Sequence, residues 1–138
     1  MKYAAGLILG LGFLVCGCLS RDEVLRVTSP DGKIDAIVFE TDCGATCSFG
    51  YEIRLAPRGS RNGDEVATLE GAIRSEQAWG VNLRWLDAER LSVEYLRAEH
   101  SRLLKQGVDV GGHRVSVSLR EGVNDPRAPA GGMLYNRR

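Results

Sequence analysis

The sequence has no excess charge of either sign, because its 18 Lys and Arg residues balance 18 Asp and Glu residues. This balance argues against nucleic-acid binding through phosphate neutralisation, which needs a basic surface. Motifs of catalysis are also lacking: there is no Gly-x-Ser-x-Gly elbow, no phosphate loop and no His-Glu-x-x-His. The 138 residues suffice for one ordinary domain. We therefore expect a single domain that is not an enzyme and holds no cofactor or metal.

The N-terminal apolar run is too short to cross a membrane as a helix. It comprises residues 4–15, which are 12 uncharged residues preceded by Lys2. A membrane-spanning helix needs about 20 residues. A basic start followed by a short apolar run is typical of a secretory signal peptide.

Val15, Cys16, Gly17 and Cys18 follow that run. This order of an aliphatic residue, a spacer, a small residue and a cysteine resembles the lipobox of bacterial lipoproteins. The resemblance implies cleavage between Gly17 and Cys18, a diacylglyceryl thioether on Cys18 and an acyl chain such as palmitate on its new amine. It places the protein in the cell envelope, and Leu19 in place of a retention aspartate favours the outer membrane. The alternative is an ordinary cleaved signal that releases a soluble protein.

Most of the remaining chain has the patterning of β-strands. Apolar and polar residues alternate over residues 51–55, 81–85, 91–95 and 115–119, which predicts half-buried antiparallel strands. The more continuous apolar run at residues 34–40 predicts a central strand covered on both faces. Residues 98–106 fit either a short helix or an irregular crossing. We predict an all-β fold, an antiparallel meander that forms a small sandwich or open barrel with little helix.

Turn residues divide these segments. Ser-Pro-Asp-Gly at residues 29–32 predicts a hairpin turn, because proline fixes φ and glycine accepts positive φ. Residues 87–90 predict a second turn, and residues 57–64 a surface loop. The predicted organisation is a lipoprotein signal peptide at residues 1–17, a β domain at 18–122 and a flexible C-terminal tail at 123–138.

In the processed chain, Cys43 and Cys47 are the only thiols besides Cys18. Because a bacterial envelope is oxidising, we expect them to form a disulfide that pins a local loop. Closing so short a loop contributes roughly 2 kcal/mol. The alternative is a copper-binding or thiol-redox site, since Cys-x₃-Cys with a distant histidine, His100 or His113, resembles the copper-handling Sco proteins. Thiolate and imidazole are suitable ligands for Cu(I).

The first hairpin is rich in carboxylates. They are Asp31, Asp35, Glu40 and Asp42. Their spacing matches no calcium loop, so we expect exposed turn and edge charges, with an acidic binding patch as the alternative.

Residues 29–33, Ser-Pro-Asp-Gly-Lys, and residues 42–46, Asp-Cys-Gly-Ala-Thr, together resemble a group of small bacterial envelope proteins with no assigned activity. The resemblance implies an envelope lipoprotein without implying a reaction. We therefore predict a non-enzymatic binding module that is attached to the membrane through its lipid. It is expected to contact another envelope protein or a cell-wall component through an edge strand or the loop of Cys43 and Cys47.

Overall fold

The computed structural model describes residues 20–42, 44 and 47–125, and this part of the chain is all β, without a helix. The strands are β1 (Ser20–Thr28), β2 (Ile34–Asp42), β3 (Gly50–Pro57), β4 (Asp64–Glu70), β5 (Ile73–Ser75), β6 (Ala78–Trp79), β7 (Asn82–Asp87), β8 (Arg90–Tyr95), β9 (His100–Leu103), β10 (Gly107–Val110) and β11 (His113–Glu121). The predicted all-β class is confirmed. A helix able to cross a membrane does not occur in the described ranges.

The strands form two larger sheets and one small hairpin. The five-stranded sheet has the order β1-β2-β3-β4-β9 and is antiparallel throughout. The four-stranded sheet has the order β10-β11-β8-β7, and only β8 and β11 run parallel in it. No hairpin joins these two strands. After β8 the chain crosses to the other sheet as β9, returns as β10 and turns back into β11. The arrangement is a small sandwich, with β5 and β6 as a separate hairpin.

One apolar cluster fills the space between the two larger sheets. Alternate residues of β3, namely Tyr51, Ile53 and Leu55, enter it from the five-stranded sheet. Leu91 and Val93 of β8 enter it from the opposite side. The apolar residues that recur at every second position of the sequence are therefore the buried ones, as expected for strands with one face in the core.

Strand β2 is an interior strand that is buried on both faces, as predicted. Its inner face joins the main core. On the outer face, Ile37 and Phe39 form a second buried cluster with Ala56 of β3. The guanidinium of Arg21 covers the Phe39 ring at 4.2 Å from the ring centroid, which is a cation–π distance.

Two carboxylates of the first hairpin are buried, so the expectation that all four are exposed was wrong. Asp35 is 2% exposed. Its oxygens accept hydrogen bonds from Arg26 Nη1 at 2.7 Å, Thr28 Oγ1 at 2.7 Å and the Gly59 N–H at 2.8 Å. Glu40 is 6% exposed. Both residues lie on the interior strand β2, where neighbouring strands and the loop after β3 provide a cover that the local sequence does not reveal.

The predicted turn at residues 29–32 joins β1 to β2. Gly32 has a φ of +74° and donates its N–H to the Ser29 carbonyl at 2.8 Å. The Ser29 hydroxyl donates to Asp31 Oδ1 at 2.6 Å and accepts from the Ile34 N–H at 3.1 Å. The predicted turn between β7 and β8 and the predicted loop between β3 and β4 are likewise present.

Residues 98–106 contain strand β9 and no helix. β9 pairs with the last four residues of β4, and all four of its own residues are exposed. Its sequence therefore has no apolar period from which a strand can be predicted.

Backbone hydrogen bonds to the domain continue beyond residue 122, where the sequence predicts that the domain ends. The Val123 N–H donates to the Tyr95 carbonyl at 3.0 Å, and the Asp125 N–H to the Arg74 carbonyl at 2.8 Å. Residues 126–138 of the predicted tail and the predicted signal peptide lie outside the described residues.

Candidate functional site

Three open grooves meet at one end of the five-stranded sheet, and Glu99 lines all three. Their volumes are about 440, 580 and 380 Å³. We refer to this region as the groove end, and it comprises Thr41 and residues 47–50, 68–79 and 97–102. Concave surface of this size is where proteins commonly bind ligands or segments of other proteins.

The register of the sheet determines which residues meet at the groove end. Cross-strand pairing places Arg21, Thr41, Gly50, Glu70 and His100 in one transverse row from β1 to β9. The groove end therefore lies at the end of the sheet where β1 begins. The turn of residues 29–32 lies at the opposite end.

Glu99 is held in place by three neighbours. Its N–H donates to the Glu70 carbonyl at 2.9 Å, and its carboxylate accepts the Ser48 hydroxyl at 2.8 Å. Gly71 has a φ of +61°, and a Cβ there would lie 2.7 Å from the Glu99 Cγ and Cδ atoms. The left-handed backbone favours glycine at position 71, and a side chain there would displace the Glu99 side chain.

The groove beside the β5–β6 hairpin is amphipathic. Its apolar lining is Ile73, Ala78, Trp79 and Ala98. Arg97 and Glu76 form a bidentate ion pair along it, at 3.0 and 3.2 Å. The rings of Trp79 and Phe49 pack at a centroid distance of 6.0 Å and a tilt of 60°. This groove can receive a group that combines an apolar part with a charged or polar part.

Strand β9 gives the groove end an open sheet edge. It pairs with β4 and with no other strand of the described ranges. The Leu104 N–H donates to the Val66 carbonyl at 2.9 Å. In an antiparallel ladder with that bond, Ser101 and Leu103 direct their N–H and C=O groups away from β4. These groups can pair with an additional extended segment.

Arg74 lies behind the amphipathic groove, on β5, and its side chain is turned towards the core. It is 1% exposed, and its Nε and Nη2 atoms donate to the Val81 carbonyl at 3.0 and 2.6 Å. Burial lowers the pKa of this guanidinium, whereas electrostatic interactions with Asp125 and Tyr51 act in the opposite direction. Arginine stays protonated despite such shifts. The contact with Val81 ties the β5–β6 hairpin to the start of β7.

The two histidines considered as metal ligands are far apart. His100 lines the same groove as Cys47. His113 begins β11 and interacts electrostatically with Asp31, in the turn at the opposite end of the sheet. Only His100 is therefore placed to act with Cys47. Within the described ranges, no group of three or more His, Cys, Asp or Glu side chains is arranged to hold a metal ion.

Cys18 and Cys43 lie outside the described residues, whereas Cys47 is exposed at the groove end. The lipid on Cys18 and the disulfide between Cys43 and Cys47 therefore stay predictions.

Sequence reasoning missed Glu70, Gly71, Arg97 and Glu99. The one local signal is the dipeptide Glu70-Gly71, since a glycine after a strand marks a turn. The other residues meet only because β4 and β9 pair. Comparisons with known proteins add no assignment, because no protein-family model, curated protein or solved structure matches this chain.

Proposed function

We propose that this chain is a lipid-anchored, non-enzymatic binding module of the bacterial cell envelope. Cys18 carries the lipid, and the groove end receives another envelope protein or a cell-wall component. The outer membrane is the favoured location, because Leu19 follows the cysteine where the retention signal has aspartate.

The anchor is supported by the lipobox-like residues 15–18 and by the physics of lipid attachment. Each buried CH₂ contributes about 0.8 kcal/mol, and stable attachment takes two acyl chains or a second membrane signal. A diacylglyceryl group on Cys18 supplies two chains. The domain itself does not have to bind the membrane for the protein to remain attached.

The observation that carries the binding function is the convergence of three grooves beside the open edge of β9. An extended partner segment can pair with Ser101 and Leu103 through main-chain hydrogen bonds. The adjoining grooves then receive its side chains. Such addition of a strand gives affinity through the backbone and specificity through the grooves.

Site-specific photocrosslinking in intact cells tests the binding surface. A photoreactive residue at Arg102, which is exposed on β9, should capture a discrete partner. The matched control is Ser116, which is exposed on β11 but lies between two paired strands. Ser101→Pro should abolish capture at Arg102, because it removes an outward N–H and leaves the Leu104 bond to Val66 intact. Equal capture at both positions, or capture unaffected by Ser101→Pro, contradicts the proposal.

Metabolic labelling with a fatty acid tests the anchor. Cys18→Ser should abolish labelling and leave an unprocessed precursor. Cys16→Ser, two residues earlier, is the matched control and should leave labelling unchanged. Labelling that persists in the Cys18 variant contradicts the anchor.

A second candidate function, copper binding or thiol redox chemistry, is favoured by one observation. Cys47 and His100 line the same groove, and the thiolate of a reduced Cys47 and an imidazole are soft enough to bind Cu(I). Mass spectrometry of the purified domain separates the two functions. Bound copper that is lost in His100→Ala supports this second candidate, and a disulfide that resists mild reduction with no bound copper rejects it.

A further inference from the structure

The proposed anchor leaves almost no linker before the folded domain. Strand β1 begins at Ser20, two residues after Cys18. Two residues reach at most about 7 Å in any conformation. A lipid on Cys18 therefore holds the start of β1 next to the membrane surface, and the inference below rests on this part of the proposed function.

The groove end lies at the same end of the sheet as the start of β1. Arg21 pairs with Thr41, which pairs with Gly50, and the row continues through Glu70 to His100. Neighbouring strands are about 4.8 Å apart, so His100 lies about 19 Å from Arg21 across the sheet, at the same level along the strands. A surface that holds Cys18 and lies across this end of the sheet is therefore close to all three grooves.

The two tryptophans of the chain lie at different distances from the groove end along the direction of the strands. Trp79 lines the amphipathic groove and packs against Phe49, next to Gly50 of the transverse row. The Trp85 indole donates its N–H to the Val27 carbonyl at 2.9 Å. Val27 is six residues along β1 from Arg21, which corresponds to about 20 Å. Trp85 therefore lies well away from the groove end, measured along the direction of the strands.

We propose that the groove end is apposed to the lipid headgroups of the membrane that holds Cys18, with Trp79 in the interfacial layer and Trp85 directed away from the bilayer. The short tether brings the groove end to the surface. The indole ring, with its apolar body and polar N–H, is suited to the headgroup layer.

Attraction to anionic lipids is not what holds this surface in place. Glu70, Glu76 and Glu99 lie at the groove end beside Arg97 and Arg102, so it lacks the basic cluster that recognises anionic headgroups. The orientation should therefore persist on zwitterionic lipid and depend on the tether length. A partner bound at β9 would lie along the plane of the bilayer with its side chains in the groove of Thr68, Glu70 and Arg102, while the groove of Trp79 faces the headgroups.

Quenching of tryptophan fluorescence by brominated phospholipid tests this orientation. The lipidated protein is reconstituted into phosphatidylcholine vesicles that contain lipids brominated on their acyl chains near the headgroup. Trp85→Phe leaves Trp79 as the sole tryptophan, and Trp79→Phe leaves Trp85. We expect the quenching of Trp79 to exceed that of Trp85 several-fold. Equal quenching, or stronger quenching of Trp85, overturns the inference.

A tether variant tests the physical cause. About ten Gly and Ser residues inserted between Cys18 and Ser20 reach a root-mean-square distance of about 17 Å. We expect the quenching of Trp79 to fall to the level of Trp85 in this variant. Persistent strong quenching of Trp79 overturns the tether as the cause.

Vesicle flotation distinguishes failure of this inference from failure of the anchor. Protein that floats with the vesicles but shows equal quenching of both tryptophans keeps its anchor and loses only the orientation. Protein that bears no lipid and does not float with the vesicles contradicts both proposals.

Discussion

The two ends of the five-stranded sheet are built in opposite ways. At the turn end, residues 28–35, Ser29 contacts Asp31 and Ile34 over separations of two and five residues. At the groove end, Ser48 contacts Glu99 over a separation of 51 residues. The Ser29 contacts of the turn end thus form locally, with Gly59 of a separate loop added at Asp35, whereas the groove end is assembled only when β4 and β9 have paired.

This difference indicates what each end does. Hydrogen bonds at the turn end, such as those that the buried Asp35 accepts, support the fold. The groove end has exposed polar contacts, an open strand edge and concave surface. Contacts of this kind can be exchanged for those of a partner at little cost in stability, because each exposed one contributes little.

The largest effect is expected for Asp35→Asn at the turn end. Three donors converge on this carboxylate, and an amide offers them one acceptor oxygen and no charge. We expect the free energy of unfolding to fall by about 2 kcal/mol at neutral pH, as measured in urea. Asp109→Asn is the matched control, because Asp109 forms an exposed ion pair with Arg114. An equal loss for both variants contradicts the structural role of Asp35.

The carboxylate of Asp35 should also make the free energy of unfolding depend on pH. Burial of Asp35 favours its neutral form, but hydrogen bonds from Gly59, Thr28 and Arg26 and the charge of Arg26 outweigh burial and hold its pKa below the ordinary value. Its contribution is therefore full above the unfolded pKa of about 3.9 and is lost as the pH falls through the lower folded pKa. The difference between the native protein and Asp35→Asn should shrink in that acidic range.

Much of the fold was predictable because its signals are local. The alternation of Tyr51, Ile53 and Leu55 marks β3 without knowledge of the rest of the chain. Pro30 and Gly32 likewise mark the first turn. Each of these residues meets a requirement of its own backbone or its own strand face. Such requirements can be recognised from neighbouring residues in the sequence.

The groove end was not predictable, for the opposite reason. β9 is exposed on all four residues, so no hydrophobic period distinguishes it from a loop. Glu99 acquires its role from Ser48 and Gly71, which are distant in sequence. The burial of Asp35 escaped prediction in the same way, because part of its cover comes from Gly59 in a separate loop.

An intermediate effect is expected for Gly71→Ala at the groove end. The left-handed backbone there costs about 1–2 kcal/mol for a residue with a Cβ, and the new Cβ also meets Glu99 at 2.7 Å. Gly111→Ala is the matched control, because Gly111 has a φ of +55° and no atom within 4 Å of an added Cβ. The loss in free energy of unfolding should be larger for Gly71→Ala. Equal losses would show that Glu99 does not press on this position.

The smallest effect is expected when a serine is replaced by alanine at the groove end. Ser48→Ala removes an exposed hydrogen bond to Glu99 and should change the free energy of unfolding by less than about 0.5 kcal/mol. Ser29→Ala at the turn end removes a buried hydroxyl that the Ile34 N–H needs as acceptor, and should cost about 1–2 kcal/mol. Urea unfolding of the two variants compares the same substitution at both ends. A loss for Ser48→Ala as large as that for Ser29→Ala would mean that the groove end is part of the structural framework, and its contacts would then not be available for exchange with a partner.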